Sequence, residues 1–389
     1  MTDPGTEAGE PRGSVAEVGG LFTRLGFTAF GGPAAHIAMM HDEVVIRRQW
    51  LDDQRFLDMI GVTNLIPGPN STEMAMHVGH ERAGWRGLVT AGASFILPAV
   101  LIVLAFAWAY VEYGDTPSGE AILYGIKPVV VMIVAQALIK LGQSALKGWL
   151  TATIGVAATA AYLVGINELA LLALGGATVL IVRTTIKPGV LGIAPLAAGG
   201  WITAQAAATD QISLGRLFLV FLKAGAFLYG SGYVLLAFLQ NDLVDQLGVL
   251  TQDQLLDAVA IGQFTPGPVF TTATFIGYVL AGIPGAVVAT IAIFLPSFIF
   301  VGAVTPIARR IRDRDWTAAL LDGVNAAALG LMAGVTAQLS GDAITDPITI
   351  LIAALTALLL WRVRVNSAWL ILGGGAVGLA ADLINAIPS

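Results

Sequence analysis

Leu51-Asp52-Asp53-Gln54-Arg55-Phe56-Leu57-Asp58 (LDDQRFLD) returns 199 residues later as LTQDQLLD, from Leu250 to Asp257. The same offset carries Pro67-Gly68-Pro69 onto Pro266-Gly267-Pro268, and Phe30-Gly31 onto Tyr229-Gly230. One deletion later, at an offset of 198, Gly84 and Gly87 fall on Gly282 and Gly285, and Leu97-Pro98 falls on Leu295-Pro296. Register held this long, through rare tripeptides, marks a duplication. Two prolines around a glycine cannot continue a helix, because the ring removes a donor and clashes with the preceding turn. Both copies therefore carry a helix break at the same place.

The chain has 389 residues, 56% of them hydrophobic and only 12% charged, with a mean hydropathy of +0.79. An average soluble chain is about 25% charged. Half that fraction cannot cover a water-facing surface, and apolar stretches of about 20 residues have bilayer-spanning length. The expected fold class is an all-α polytopic membrane protein. This excludes a soluble enzyme, a nucleic-acid binder and a secreted disulfide scaffold. The absence of cysteine rules out thiolate catalysis, disulfides and Cys-ligated metals. Residues 1–13 have no basic stretch leading an apolar core, so they are read as a disordered tail and not as a signal peptide.

Apolar stretches give thirteen expected membrane segments: 18–40, 56–80, 84–111, 121–140, 149–165, 168–182, 190–208, 214–240, 255–280, 283–305, 316–338, 347–361 and 368–384. Residues 14–188 make the first repeat, 189–212 a connecting segment and 213–389 the second repeat. With every segment crossing and the N-terminus cytoplasmic, 13 Lys and Arg residues lie inside and four outside: Arg47, Arg48, Arg55 and Arg216. That bias follows the positive-inside rule. Three of the four outer charges share loop 41–55, which returns to the cytoplasm if segment 56–80 is a re-entrant hairpin. An odd number of crossings before the second repeat inverts it. Inverted repeats with matching helix breaks are the architecture of secondary transporters, whose substrates bind near the midplane.

Intramembrane charges are the most informative residues. Arg24 aligns with Lys223, one cation per repeat, six residues before the Phe30 or Tyr229 break. A cation at mid-bilayer costs roughly 2.5–3.5 kcal/mol even on the lenient scale, so the pair points to something negative between them. Snorkelling to a head-group is the alternative. Lys127, whose mate is Asn325, fits an anion contact, a proton shuttle or a structural salt bridge.

After the first Pro-Gly-Pro, Asn70 as N-cap and Glu73 three residues on fit a capping box. A helix beginning in mid-membrane aims free N–H groups and its positive dipole end at whatever lies ahead. Gly31-Gly32-Pro33 starts another such half-helix. The expected anion shell is Arg24, Lys127, Lys223, Asn64, Asn70, Ser71, Thr72, Gln263 and Thr265, with backbone donors at Gly31, Gly32, Gly68, Gly230, Ser231 and Gly267. His36, Glu43, Arg47, Arg48, Asp58 and Glu73 are the candidates for coupling or gating. His36 titrates near neutral pH, or is a satisfied core histidine. The charged loop around Glu43 is alternatively a solvated face. No G-x-x-x-x-G-K-[ST] loop is present, so no ATP is hydrolysed here. No cofactor, no metal and no catalytic residue is expected.

The stretch Phe30-Gly31-Gly32-Pro33-Ala34-Ala35-His36-Ile37, then Glu43, Arg47-Arg48-Gln49-Trp50-Leu51 and Pro67-Gly68-Pro69-Asn70-Ser71, resembles the chromate ion transporter family. So do Gly230-Ser231-Gly232-Tyr233-Val234, Phe238-Leu239-Gln240, Thr265-Pro266-Gly267-Pro268 and Phe294-Leu295-Pro296-Ser297-Phe298. The resemblance covers nearly the whole chain past the tail and is to the long, two-domain form. It implies an inner-membrane protein that expels chromate, driven by the membrane potential or an ion gradient, with sulfate as competing dianion. Composition and spacing supply only the anion. Lipid is the expected surroundings, nucleic acid is no partner, and a homodimer is the oligomer considered. The readings carried alongside are a transporter of another oxyanion such as sulfate, an intramembrane lipid-phosphate enzyme, and a channel or sensor.

Overall fold

The computed structural model describes residues 14–185, 212–229, 232–312, 314–363 and 365–384. The N-terminal tail, the expected segment 190–208, Gly230 and Ser231 lie outside the described residues. Every regular element among the described residues is helical. The first half runs α1 (Val15–Thr28), α2 (Pro33–His41) continuing into a π-helical turn (Asp42–Arg47), α3 (Asp53–Thr63), α4 (Asn70–Tyr113), α5 (Pro117–Ala145), α6 (Trp149–Leu163) and α7 (Glu168–Thr185). The second half follows the same order: α8 (Leu214–Phe227), α9 (Leu235–Leu239) with its π-helical turn (Gln240–Gln246), α10 (Gln252–Phe264), α11 (Thr272–Arg312), α12 (Asp315–Ala343), α13 (Pro347–Arg362) and α14 (Ser367–Leu383).

Among the described residues, four stretches are long and apolar enough to cross a membrane: Asn70–Tyr113, Pro117–Ala145, Val269–Ala303 and Asp315–Ala343. Two of them are not straight rods. In α4 the backbone leaves helical geometry at Ala83 (φ −140°, ψ 22°) and Gly84 (φ 61°, ψ −151°). Ala281 (φ −150°, ψ 26°) and Gly282 (φ 61°, ψ −153°) do the same in α11. Positive φ comes at little cost only to glycine. Each helix there doubles back on itself. Thr274 and Thr290 would stand about 24 Å apart along one rod at 1.5 Å per residue, yet their hydroxyl oxygens are 2.7 Å apart. Gly79 and Gly87 meet so closely that a Cβ on either would overlap the other's carbonyl oxygen. The chain has no cysteine of its own, so a Thr274→Cys/Thr290→Cys variant is a clean test. It is expected to form an intramolecular disulfide under mild oxidation, read as a gel shift reversed by reductant; a straight α11 gives none.

The expected crossing 56–80 is likewise a hairpin. Arg55, at the start of α3, pairs with Glu81, near the end of the first α4 arm, at 2.7 Å. A continued rod would hold them about 39 Å apart. The hairpin tip is Pro67-Gly68-Pro69. The expected segment 18–40 is also folded over, because Arg82 reaches both Glu17 near the start of α1 and the ring of Trp50 beyond the π-helical turn. The expectation that all thirteen segments cross therefore fails at these places. Hydropathy registers apolar length but is blind to a reversal of direction.

The halves pack across one another. The long arm of α4 (85–113) lies antiparallel to the long arm of α11 (283–312), with Phe298 against Gly92 and Trp85 against Gly302. Gly125 of α5 meets Gly374 and Gly378 of α14, and Gly323 of α12 meets Gly175 of α7. Small residues let helix backbones approach where no water drives association. Outward, Leu97, Leu101, Trp108, Ile291, Ile299, Trp149, Trp361 and Trp369 are exposed. An apolar exterior with tryptophan among it suits lipid contact.

Candidate functional site

The four helix breaks converge, each half's tips meeting the other's. The Gly68 N–H donates to the Leu228 carbonyl at 2.9 Å, and the Gly267 N–H donates to the Ala29 carbonyl at 2.9 Å. These are the same bond in the two repeats, since Gly68 aligns with Gly267 and Ala29 with Leu228. Gly31 (φ 104°), Gly32 (φ 81°), Gly68 (φ 139°) and Gly267 (φ 91°) supply the backbone angles that the breaks require.

The helices starting at these tips are uncapped. Gly32, Pro69 and Pro268, the N-caps of α2, of α4 and of the 3-10 turn at Val269–Thr271 that opens α11, make no side-chain cap hydrogen bond. Elsewhere Ser14, Asp52, Thr116, Ser213, Thr251, Asp346 and Asn366 cap their helices by side chain, with α6 behind Gly148 and α12 behind Arg314 as exceptions. A helix start carries about four N–H groups without helical partners and the positive dipole end. Several such starts in one buried place form an environment suited to an anion.

The capping box expected at Asn70 does not form. Pro69 is the N-cap, the Asn70 amide donates to Asn64 Oδ1 at 3.0 Å, and Glu73 turns to Ser297, whose hydroxyl donates to Oε1 at 3.0 Å. Ser71, Thr72 and Glu73 are all buried. In the other repeat Tyr233 donates to Gln263 Oε1 at 3.1 Å, and Thr265 donates to the Ile261 carbonyl of its own helix at 2.6 Å. His36 is buried on α2, edge-on to Phe95 at 5.7 Å between ring centroids.

The expected cations lie apart, each paired with a carboxylate of the chain. Arg24 binds Glu43 Oε1 at 2.5 Å, and Arg47 and Arg48 reach the same carboxylate at 3.1 and 3.3 Å. Burial opposes charge on Glu43, but hydrogen bonds from Arg24 and Arg48 and the Arg47 charge hold its carboxyl below the ordinary value. Lys223 binds Asp242 at 2.5 Å and Glu168 at 2.8 Å. Asp242 is the mate of Glu43, so the Arg24–Glu43 pair recurs as Lys223–Asp242. Lys127 pairs with Asp253 at 2.6 Å, the salt-bridge alternative. Asp58 faces Arg55, His77, His80 and Glu81 in a small cleft of the α3–α4 hairpin. The two clusters differ in sign: three arginines surround Glu43, whereas two carboxylates surround Lys223. Glu168, Asn241 and Asp253 were not singled out by sequence, and Ser297 was named only within the stretch that carries the resemblance. The alignment of Asp242 with Glu43 is the sequence signal that pointed to partners for Arg24 and Lys223 within the chain.

The sequence pattern described as "Chromate transporter" matches residues 16–181 and 215–379. A protein of Cupriavidus metallidurans named "Chromate transport protein" is 34% identical over 373 residues, covering 92% of this chain and 91% of its own. A "Probable chromate transport protein" of Synechococcus elongatus is 33% identical over 364 residues, covering 90% and 91%. A "Chromate transport protein" of Pseudomonas aeruginosa is 31% identical over 396 residues, covering 97% and 95%. No solved structure matches the chain.

Proposed function

Since this chain belongs to the chromate transporter family, we propose that it is a secondary transporter exporting chromate, with sulfate-like dianions as competitors, by alternating access across the inner membrane. The observation carrying this reading is the meeting of uncapped helix starts where the tips of the two repeats hydrogen-bond to each other. A tetrahedral dianion needs several N–H donors at once, and broken helices at a repeat interface provide them.

We read the repeats as inverted. Supporting this, the equivalent long arms of α4 and α11 run antiparallel across each other, which places the relating axis across the helices and in the membrane plane. On this reading the hairpins bring loop 41–55 to the same end as the other basic loops. Arg47, Arg48, Arg55, Arg82, Arg86, Lys140, Lys147, Arg183 and Arg314 fall toward one end of the bundle, and Arg216 toward the other. By the positive-inside rule the first end is cytoplasmic. The arginine-rich cluster around Glu43 would gather dianions from that side by long-range attraction, and the acidic cluster around Lys223 would favour their release on the other. Closure would pass from one cluster to its mate as the halves rock about the junction. Gradient or potential supplies the drive, with no ATP step.

The test is uptake of labelled chromate into inverted membrane vesicles, with excess sulfate and a Gly68→Ala variant alongside. A Cβ at Gly68 would overlap Glu73 Oε1 and the Ser297 hydroxyl at a φ that L-residues avoid. Such strain costs about 1–3 kcal/mol. The expected result is uptake competed by sulfate and reduced more than about tenfold in the variant, as about 1.4 kcal/mol of site distortion implies. Uptake unchanged by Gly68→Ala moves the pathway away from the tips.

A further inference from the structure

Among the buried polar groups at the junction, Glu73 has no counterpart. It is fully buried in the first turn of α4. Oε1 accepts from Ser297 on α11, and Oε2 has no donor. None of the ion pairs among the described residues includes it. Its Oε1 and the Ser297 hydroxyl fill the space over Gly68, where a Cβ would overlap both. The neighbouring Thr72 hydroxyl is buried without a partner. The carboxyl group therefore already sits at the uncapped start of α4, where an oxyanion would come to lie. In the second repeat the mate of Glu73 is Thr272, whose hydroxyl donates to the Val269 carbonyl at 2.8 Å. The mate of Ser297 is Ala99, whose methyl group lies against Gly267. The junction thus holds one carboxyl where symmetry would allow two or none.

We propose that Glu73 is a tethered stand-in for the oxyanion, and that each oxyanion bound requires one proton on Glu73. This rests on the reading of the junction as the transport site. An ionised carboxylate and a dianion in contact repel strongly where little water screens them, and no cation among the described residues pairs with Glu73 to offset that. A proton removes the charge and frees the side chain to leave Gly68. By linkage, oxyanion binding then takes up a proton, and protonation favours the oxyanion to the same degree. The groups around Glu73 are Ser297 from α11, Tyr229 from the segment after α8, and His77 one turn along α4. His36 is buried on α2, while Arg55, Asp58, His80 and Glu81 lie at the open end of the α3–α4 hairpin. Arg24 of α1 is held by Glu43. The buried histidines, His36 and His77, are the other groups able to take up the proton, and variants at Glu73 separate them from it.

The experiment measures proton uptake by the purified full-length protein on adding chromate, in weakly buffered detergent solution where chromate remains a dianion. Chromate-induced thermal stabilisation across pH is followed in parallel. In the pH range where Glu73 is ionised in the free protein, wild type is expected to take up about one proton per chromate, its apparent affinity falling about tenfold per pH unit. Glu73→Gln and Glu73→Thr, the latter carrying the other repeat's residue, are expected to bind chromate with no proton uptake and no such slope. Chromate binding by wild type that shows neither proton uptake nor a fall in affinity at any pH the folded protein tolerates overturns the proposal, whether or not the variants fold. Uptake undiminished in either variant overturns it as well, and assigns the proton to a histidine. A wild type that neither binds nor moves chromate overturns the transport reading itself, and this inference with it.

Discussion

Lys223→Ala is expected to destabilise the protein by about 3–5 kcal/mol, as removal of one partner from a buried ion cluster does. The ammonium is the cation between Glu168, fully buried, and Asp242, nearly so. Asn241 ties the other Glu168 oxygen at 2.5 Å, and the ring of Phe238 lies 5.8 Å from the charge. Removing the charge leaves two carboxylates facing each other with little water to solvate them. Thermal unfolding of the purified protein checks this. The triple variant Lys223→Ala/Asp242→Asn/Glu168→Gln is expected to recover most of the loss, because it removes the uncompensated charges together with the cation. Arg47→Ala, on the solvated side of the mate cluster, is expected to cost well under 1 kcal/mol. Equal losses for Lys223→Ala and Arg47→Ala would mean that the buried cluster has no special role.

The second large effect is expected at the glycines joining the halves. Gly323 of α12 lies against the Gly175 carbonyl of α7, and its mate Gly125 of α5 lies against the Gly374 carbonyl of α14. Gly323→Leu forces α7 and α12 apart. Overpacking of this kind costs about 1–3 kcal/mol in a core that can shift, and more where backbone meets backbone. The expected outcome is loss of the monodisperse peak in size-exclusion chromatography of the solubilised protein. Gly341→Leu, a site with open space on the same helix, is expected to leave the peak unchanged. A normal peak for Gly323→Leu would show that the two halves are not held through this contact.

The repeat, its breaks and the residues at the breaks were legible in the sequence, because each break needs glycine or proline and the register between copies is nearly constant. Direction was not. Each arm of α4 is apolar over a span's length or less, and only the backbone angles at Ala83 and Gly84 show that the chain turns back. Sequence alignment put Arg24 on Lys223 and Glu43 on Asp242, and from it the two cations were expected to face an anion. It is the α8 hairpin that carries Asp242 back to Lys223, 19 residues away in sequence. Glu168 comes from another element altogether, so nothing local pointed to it. The capping box at Asn70 failed for a related reason. Asn64 and Ser297, contributed by the hairpin and by the other half, compete for the two side chains that would have closed it.

As proposed, two inverted halves carry an oxyanion across the membrane by exposing one junction to each side in turn. Counterflow in proteoliposomes separates such a carrier from a pore. Vesicles are loaded with unlabelled chromate or left empty, and the entry of labelled chromate is timed with the membrane potential clamped at zero. An alternating-access carrier returns faster when loaded, so preloaded vesicles are expected to accumulate label transiently above equilibrium. Label that enters empty and preloaded vesicles alike, without overshoot, would contradict the account and describe a pore.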